Sequence, residues 1–459
     1  MVFSSIEFLL YFLPSFFVCY FLASDKHKNF ILLLFSLLFY AYSCYDAEYY
    51  ILLLLFSLIL NYTFSLLIDR NTIRGKISFI VSILFNIFMI FTFKYLDFFI
   101  DIVNKVNNTD LMKYHLLLPL GISFYTMQII SYLVDIYRGD TVVQKSFIKF
   151  STYIIMFPQL VAGPIVRYNN IKNELYDKNI SKSNIIEGII TFVFGLSSKV
   201  IVANQVSVII LDINRNITNM SFMMSWTSAI FYLIQLYFDF YGYSLMAIGL
   251  GKIIGFNIPK NFDLPFFSKS ITEFWRRWHI SLSTFLRDYV YIPLGGSKKG
   301  LIRTIINLIF VFFVSGLWHG AYYNYVLWGL FFGIVVAIER LFLSKILNKL
   351  NIISHIYAFL VAVIIFVLFA NENLENAKIL YQNMFTPNTI INEQFLEVVK
   401  INWKQMLLGG LCAININGLI YNKIKDNRII LGIIVIILID IDTLLIIKGY
   451  NDPFMYFRF

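Results

Sequence analysis

Charged residues are scarce in this chain. Only 14% of its 459 residues are Asp, Glu, Lys or Arg, whereas 59% are hydrophobic. Soluble domains are about 45–50% apolar, so this composition excludes a water-soluble globular protein. The apolar runs are about twenty residues long, which is the length of helix needed to cross roughly 30 Å of hydrocarbon. Because backbone polar groups in lipid must bond internally, the sequence predicts an all-α polytopic membrane protein.

Cysteine is also rare. The three cysteines, Cys19, Cys44 and Cys412, lie within or beside apolar segments at unrelated spacings. They match neither a zinc-binding pattern nor a disulfide framework. We therefore expect no metal site, and we interpret the three thiols as buried packing residues.

A cleavable leader is not indicated. No basic segment precedes the apolar stretch 6–23, and no small-residue cleavage site follows it cleanly. This stretch is therefore interpreted as a retained first helix.

The apolar pattern predicts thirteen membrane-embedded segments. They are 6–23, 30–43, 49–68, 78–100, 114–134, 148–166, 186–211, 224–253, 303–319, 323–342, 353–370, 405–421 and 429–447. Segments 114–134 and 148–166 contain Pro or Gly, so we expect them to be broken or re-entrant. No internal repeat, low-complexity tract or soluble domain is evident, which favours one membrane domain over 1–459.

The net charge of +10 does not indicate nucleic acid, because the bases are scattered over short loops between apolar segments. Lys26 and Lys28 in the first loop, and Arg70 and Arg74 in the third, place those loops in the cytoplasm. The N-terminus, the acidic loop 371–403 and the tail 448–459 are then extracytoplasmic. The expected location is the inner, cytoplasmic membrane; no side is assigned within 114–300.

Residues 256–300 interrupt the apolar pattern. The ionisable residues there include Glu273, Arg276, Arg277, His279, Arg287 and Asp288. Each would cost at least about 2.5–3.5 kcal/mol near the bilayer centre. If 270–289 is one helix, then Arg276, His279 and Arg287 lie near one face.

Two interpretations of that face remain open. It belongs either to an interfacial amphipathic helix, whose arginines meet lipid phosphates, or to a re-entrant wall of a cytoplasmic cavity for an anionic donor. Guanidinium groups suit phosphate oxygens better than ammonium groups do, which supports the second interpretation.

The motif VSGLWHG (314–320) places His319 after a long apolar segment. The other four histidines of the chain are His27, His115, His279 and His355. A histidine in apolar surroundings is often a packing residue. A buried, neutral imidazole can nevertheless take a proton from a hydroxyl that attacks an acyl carbonyl. No serine or cysteine lies in a recognisable nucleophile elbow, which favours direct transfer or a relay through another hydroxyl.

These motifs together resemble the membrane-bound O-acyltransferase (MBOAT) family. WRRWHISLSTFLRDYVYIPLGG (275–296) followed by SGLWHG (315–320) is similar to the bacterial branch with the alginate and peptidoglycan O-acetylation membrane subunits. The resemblance extends to four further stretches, 2–14, 119–140, 157–168 and 238–266. It therefore covers nearly the whole chain in the expected order.

The resemblance implies a fold and a set of site residues. The fold would be a ring of about 11–13 transmembrane or re-entrant helices around a central funnel or tunnel. His319 matches the family's catalytic histidine at the base of the funnel, and His279 matches the second family histidine. Arg287 and Asp288 match the pair that follows, to which we assign support of the cavity. From their charge and position, Arg276 and Arg277 join this pair as candidates for donor binding or its support.

The resemblance also implies substrates and partners. The donor would be acetyl-CoA or another acyl thioester, such as an acyl carrier protein, with no tightly bound cofactor. The acceptor would be a polysaccharide, reached through an extracytoplasmic lipase-like (SGNH-type) serine acyltransferase. Donor and acceptor would meet across a short tunnel.

The C-terminal sequence NDPFMYFRF (451–459) permits two interpretations. Its aromatic residues and Arg458 suit an interfacial anchor. It also resembles the aromatic C-terminal motif of this branch, which implies Tyr456 as an acyl relay. A tyrosyl ester is chemically reasonable, because a phenolate with a pKa of about 10 leaves more readily than an alkoxide.

Three functions are compared on this basis. Acetyl transfer to a polysaccharide is favoured. D-alanyl transfer to teichoic acid from a carrier-protein thioester is the second, although the fused tail argues against it. A glycan-precursor transporter or flippase would also explain intramembrane charges, but it explains neither the histidine motifs nor the lack of repeats.

Overall fold

The computed structural model describes residues 1–44, 47–161, 163–215 and 220–449. Within these ranges every regular element is a helix. Seven of these helices are long and apolar enough to cross a membrane. The predicted all-α polytopic membrane fold is therefore confirmed.

The helices follow one another with mostly short connections. In chain order they are α1 (Glu7–Leu22), α2 (Lys28–Ser43), α3 (Tyr50–Leu67), α4 (Ile73–Asn107), α5 (Ile122–Arg138), α6 (Phe147–Ile155), α7 (Phe157–Leu160), α8 (Tyr168–Ile171), α9 (Lys182–Asn214), α10 (Phe222–Ile253), α11 (Ile271–Arg277), α12 (Ile280–Leu286), α13 (Leu301–His319), α14 (Tyr323–Leu347), α15 (Asn351–Ala370), α16 (Leu374–Phe385), α17 (Glu393–Ala413), α18 (Ile416–Ile424) and α19 (Arg428–Ile447).

The described chain divides into two compact units. The first contains Met1–Ile189 together with Ala247–Pro259. The second contains Ile190–Met246 and the chain from Lys260 onward. Both histidines singled out by the sequence, His279 and His319, belong to the second unit.

An aromatic cluster forms part of the core of the first unit. The ring of Phe157 packs against Phe16, Phe12 and Phe39, with centroid distances of 4.9, 5.2 and 6.0 Å. Phe157 is placed there because the chain breaks its helix at Met156, between α6 and α7. The expected break within 148–166 is confirmed.

Polar side chains inside the first unit are paired with one another. Asn86 on α4 donates to Asn61 on α3 over 2.6 Å, and Tyr20 donates to the carbonyl of Ile254 over 2.7 Å. Such pairs satisfy groups for which hydrocarbon offers no partner.

A tight hairpin of α13 and α14 organises the second unit. A Cβ atom on Gly316 would overlap the carbonyl oxygen of Tyr325, and one on Gly329 would overlap the carbonyl oxygen of Phe312. Only glycine permits this approach of the two backbones. The hairpin carries His319 at the C-terminal end of α13.

The segment 114–134, expected to be broken or re-entrant, is helical only from Ile122. The span predicted over 405–421 is wrong as one continuous helix. There α17 ends at Ala413, and Asn415 adopts a left-handed conformation with φ 60° before α18 begins.

The stretch 371–403, expected to be a loop, is largely helical, since it contains α16 and the first half of α17. Asn373 and Asn392 accept hydrogen bonds from the backbone at the starts of these helices. Side-chain capping of this kind stabilises helices with little apolar content.

Candidate active site

The segment expected to form one helix over 270–289 is broken in its middle. α11 ends at Arg277 and α12 begins at Ile280, with His279 between them at φ 43°. A left-handed residue changes the direction of the chain. The prediction that Arg276, His279 and Arg287 share one helical face is therefore wrong.

The start of α11 is held by the carboxylate of Glu339 on α14. That carboxylate accepts hydrogen bonds from the backbone N–H groups of Ile271 and Thr272, at 2.7 and 2.8 Å. The hydroxyls of Thr272 and Tyr357 donate to it at 2.6 and 3.1 Å. A carboxylate at a helix N-terminus also interacts favourably with the helix dipole. Glu339, which is 1% exposed, thus fixes the segment that leads to His279.

The far end of α11 is held by residues 261–263. The N–H of Asp263 donates to the carbonyl of Arg277, and the N–H of Ile280 donates to the carbonyl of Asn261, both over 2.9 Å. These two bonds flank His279. They bring the Asn261 side chain next to the imidazole, although the two residues are eighteen positions apart.

The ring of His279 is oriented by a polar cluster. Its Nδ1 lies 3.1 Å from Oδ1 of Asn261, which also accepts from the Ser281 hydroxyl over 2.8 Å. Asn261 in turn donates through Nδ2 to Ser244 over 3.3 Å. Since Oδ1 accepts only, the proton of a neutral His279 is assigned to Nδ1, which leaves the lone pair on Nε2.

Burial lowers the pKa of His279 to about 3. The side chain is fully buried, it lies outside the seven membrane-crossing helices, and removing an imidazolium from water disfavours the charged form. His279 is therefore neutral over the whole physiological pH range.

A drop from pH 7 to pH 5 is expected to destabilise the protein partly through His279. An unfolded His279 titrates near 6.5, and in the folded protein its pKa is about 3. Between these values the unfolded state binds more protons, so stability that is complete above pH 6.5 is lost as the pH falls. The expected contribution is about 2 kcal/mol.

The variant His279→Asn tests this, because asparagine tolerates the left-handed backbone at this position. Between pH 7 and pH 5, the thermal midpoint measured in detergent should fall less in the variant than in the wild type. Equal pH dependence in both proteins would contradict this.

His319 lies among aromatic rings. Its imidazole contacts Trp318 at 4.8 Å, Trp328 at 5.0 Å and Phe369 at 5.1 Å between ring centroids. The residue is 3% exposed, and Gly320 ends α13 directly after it. The imidazole is therefore held by the end of one helix and by the neighbouring helices α14 and α15.

The indole of Trp318 contacts both histidines. Its ring centroid lies 5.9 Å from that of His279 and 4.8 Å from that of His319. Phe240 covers His279 edge-on at 4.7 Å. The structure thus brings together the two histidines that the sequence separates by forty residues.

The arginines assigned to donor binding or to support of the cavity differ in their surroundings. Arg277 is paired with Glu273 over 2.7 Å. Arg287 pairs with its neighbour Asp288 over 2.6 Å, and this hydrogen bond raises the pKa of Arg287 further. Arg276 is exposed and forms no ion pair with any other described residue. Of the three guanidinium groups it is the one with most freedom to meet an anion.

Tyr456, expected to act as a relay, and the rest of the aromatic tail from residue 450 lie outside the described residues. Their placement relative to the two histidines stays a prediction from sequence.

The cysteine prediction is only partly correct. Cys44 is buried and Cys412 is half-buried, but Cys19 is exposed. All three are free thiols.

A buried ion pair was missed in the sequence. Lys199 on α9 lies 2.6 Å from Asp239 on α10, and each side chain is 1% exposed. The helix widens to a π-helical turn at Ser198–Ala203. A charge inside an apolar span is itself a functional signal, and it could have drawn attention to both residues. Glu339 carries the same signal, since it lies within the apolar segment 323–342, whereas Asn261 carries none because its partners are distant in sequence.

Comparison with known proteins gives a consistent picture. The model of the membrane-bound O-acyltransferase (MBOAT) family matches residues 39–371. This range contains His279 and His319 and stops before the tail with Tyr456.

Several curated proteins are similar over most of the chain. The probable alginate O-acetylase AlgI of Pseudomonas aeruginosa is 39% identical over 419 residues, which cover 90% of this chain and 79% of the relative. The peptidoglycan O-acetyltransferase of Helicobacter pylori is 33% identical over 416 residues, covering 82% and 78%. The teichoic acid D-alanyltransferase of Bacillus subtilis is 30% identical over 233 residues, covering 49% and 59%.

Proposed function

Since the chain belongs to the membrane-bound O-acyltransferase family and is therefore an O-acyltransferase, we propose that it moves an acetyl group from a cytoplasmic thioester toward hydroxyls of a cell-envelope or exported polysaccharide. The observation that carries this proposal is the contact of both buried histidines with Trp318. An enzyme function leaves the transporter interpretation without support.

The proposed chemistry centres on His319. Its neutral imidazole takes the proton of an attacking hydroxyl, a C–O bond forms at the acyl carbonyl, and the C–S bond breaks. The imidazolium then returns the proton to the departing thiolate. His279, held by Asn261 at 3.1 Å, is the second proposed site residue and lines the same aromatic layer.

The proposed donor is acetyl-CoA, with Arg276 as the residue that meets its phosphates. Guanidinium groups bind phosphate oxygens well, and Arg276 lies exposed at the end of α11, three residues before His279. Arg277 and the Arg287–Asp288 pair would support the segment, because each already has an ionic partner in the structure.

The proposed acceptor pathway needs a partner, because the described chain has no extramembrane hydrolase fold. A lipase-like serine acyltransferase and a polysaccharide would lie on the extracytoplasmic side. Placement in the inner membrane, with the N-terminus and the C-terminal tail outside, follows from the distribution of basic loops.

Tyr456→Phe is expected to eliminate acyl transfer to the partner while membrane insertion is retained. The variant keeps the aromatic ring and removes the hydroxyl that would carry the acyl group as an ester. Tyr450→Phe removes a hydroxyl six residues away and serves as the matched control. Acylated glycan is measured in cells that express each variant. Wild-type acylation in Tyr456→Phe would eliminate the relay.

D-alanyl transfer is the second candidate, favoured by the 30% identity to a teichoic acid D-alanyltransferase. That similarity covers 49% of this chain, against 90% for the alginate O-acetylase. Purified protein in vesicles should become labelled by radioactive acetyl-CoA and not by a D-alanyl carrier protein. The reverse result would replace acetyl by D-alanyl, and no label from either donor would contradict a covalent acyl relay on this chain.

A further inference from the structure

A cavity of about 220 Å³ lies within the second unit. Its walls come from α9, α10, the segment before α11, and the helices α17 and α18. The lining includes Tyr237, Leu264, Phe267, Cys412, Ala413 and Tyr421.

The cavity lies at membrane depth. Its α9 wall runs from Ile190 to Ser198, in a helix that extends from Lys182 to Asn214. At 1.5 Å per residue the wall lies about 12–24 Å along a helix of about 50 Å. The middle of a membrane-crossing helix is surrounded by hydrocarbon. Whatever enters the cavity from the side therefore comes from the lipid.

The chemistry of the lining is apolar and aromatic. None of the described residues that line the cavity is charged. A phosphate, a carboxylate or the nucleotide of CoA would be buried there without a counter-charge, at a cost of several kcal/mol. A hydrocarbon chain meets no such cost.

The cavity is open at one rim. Leu264, Phe267 and Tyr421 line it and are 38%, 40% and 37% exposed. Leu264 is held in a left-handed conformation, with φ 50°, directly before the short turn that carries Phe267. A chain can thus enter without displacement of a buried helix.

We propose that this cavity is a binding site for an acyl chain of a membrane phospholipid. Empty apolar space forfeits the dispersion contacts of its lining atoms, and the surrounding bilayer supplies chains that restore them. None of the arginines assigned to donor binding lines this cavity, and the wall formed by α17 and α18 lies beyond residue 371, where the match to the family model ends.

The inner wall of the cavity is also the back of the aromatic layer at His279. Tyr237 lines the cavity and packs on Phe266 at 4.9 Å and on Trp278 at 5.9 Å. Trp278 precedes His279 in the chain. A bound lipid chain would therefore press on the layer that positions the candidate active site.

Photocrosslinking in vesicles tests the proposal. The full chain is reconstituted in phosphatidylethanolamine and phosphatidylglycerol that carry a trace of phospholipid with a diazirine in one acyl chain. After irradiation, labelled peptides are located by mass spectrometry. Label is expected on 190–198 together with 412–421. Label confined to the outer faces of other helices would overturn the proposal.

Two tryptophan variants, one inside the cavity and one outside it, provide a matched comparison. Ala413→Trp places an indole in the cavity, whereas Leu411→Trp adds the same group at a 38% exposed position of α17 that does not line it. Ala413→Trp should lower crosslinking of 190–198 by about tenfold, equivalent to 1.4 kcal/mol, and Leu411→Trp should not. Equal labelling of both variants would overturn the proposal.

The natural thiols give a measurement that needs no variant. Cys412 lines the cavity, and Cys19 is exposed on the first unit. Phospholipid added to delipidated protein in detergent should slow alkylation of Cys412 relative to Cys19. An unchanged ratio would contradict occupancy. Because each experiment measures lipid binding, its outcome is independent of whether acetyl transfer is confirmed.

Discussion

Replacing His319 with glutamine is expected to abolish acyl transfer and to leave the protein folded in the membrane. Glutamine retains most of the side-chain volume among Trp318, Trp328 and Phe369, but it cannot accept and return a proton. Loss of a general base costs typically about 10²–10⁴-fold in rate. Two measurements test this. The first is the transfer of radioactive acetyl from acetyl-CoA by the protein in vesicles, and the second is the O-acyl content of the glycan in cells that express the variant.

His115→Gln is the matched control for this variant. His115 lies in a non-helical stretch of the first unit, with 81% of its side chain exposed, so its replacement should leave transfer unchanged. Wild-type transfer by the His319 variant would remove the proposed catalytic role. The protein would still be a member of its family, but its base would have to be sought elsewhere.

Removing the carboxylate of Glu339 is expected to have the second-largest effect. In Glu339→Ala the N–H groups of Ile271 and Thr272 and the hydroxyl of Tyr357 lose their shared acceptor. Buried donors without a partner cost about 1–3 kcal/mol each, so the free energy of unfolding should fall by roughly 3 kcal/mol or more. The start of α11 would loosen, and His279 with it.

Three measurements separate positioning from a general loss of structure. Glu339→Gln keeps one acceptor oxygen and should retain intermediate activity. Arg340→Ala changes the next residue, which is exposed, and should behave as the wild type. Because Glu339 does not contact the proposed substrate, the loss should fall on kcat more than on KM. Wild-type kcat and stability in Glu339→Ala would show that the four hydrogen bonds do not position the site.

The Lys199–Asp239 ion pair lies where α9 and α10 pack closely against each other. Gly195 and Gly242 bring the two backbones into contact beside the pair, and the charges are then only 2.6 Å apart. Breaking a buried pair by removing one partner is strongly destabilising, because it leaves an uncompensated charge. The pair therefore belongs to the structural frame of the unit that carries both histidines.

A similar constraint acts on α19. Most of this helix is exposed on the protein surface, but Asp442 is fully buried and accepts a hydrogen bond from Ser197 over 2.7 Å. This hydrogen bond ties α19 to Ser197 of α9.

The sequence by itself determined that the protein lies in a membrane, that its fold is all-α and that it belongs to this family. Long apolar runs require a membrane and membrane-spanning helices because every backbone group must find a partner within its own segment. That argument is local, and it succeeded wherever an apolar run was continuous. The motifs around His279 and His319 likewise identified the family, since they are contiguous strings that do not depend on a folded chain.

The tertiary structure decided how those strings become a site. Helical periodicity placed Arg276, His279 and Arg287 on one face, but Asn261 and Asp263 hold the backbone on either side of His279 and the helix breaks there. Glu339 holds α11 from sixty-eight residues away. Hydropathy and motif patterns depend only on residues within one segment, so they predict local secondary structure. These hydrogen bonds join segments that meet only after folding. The contact of His279 with Trp318 therefore could not be predicted from the sequence, because it depends on these long-range contacts.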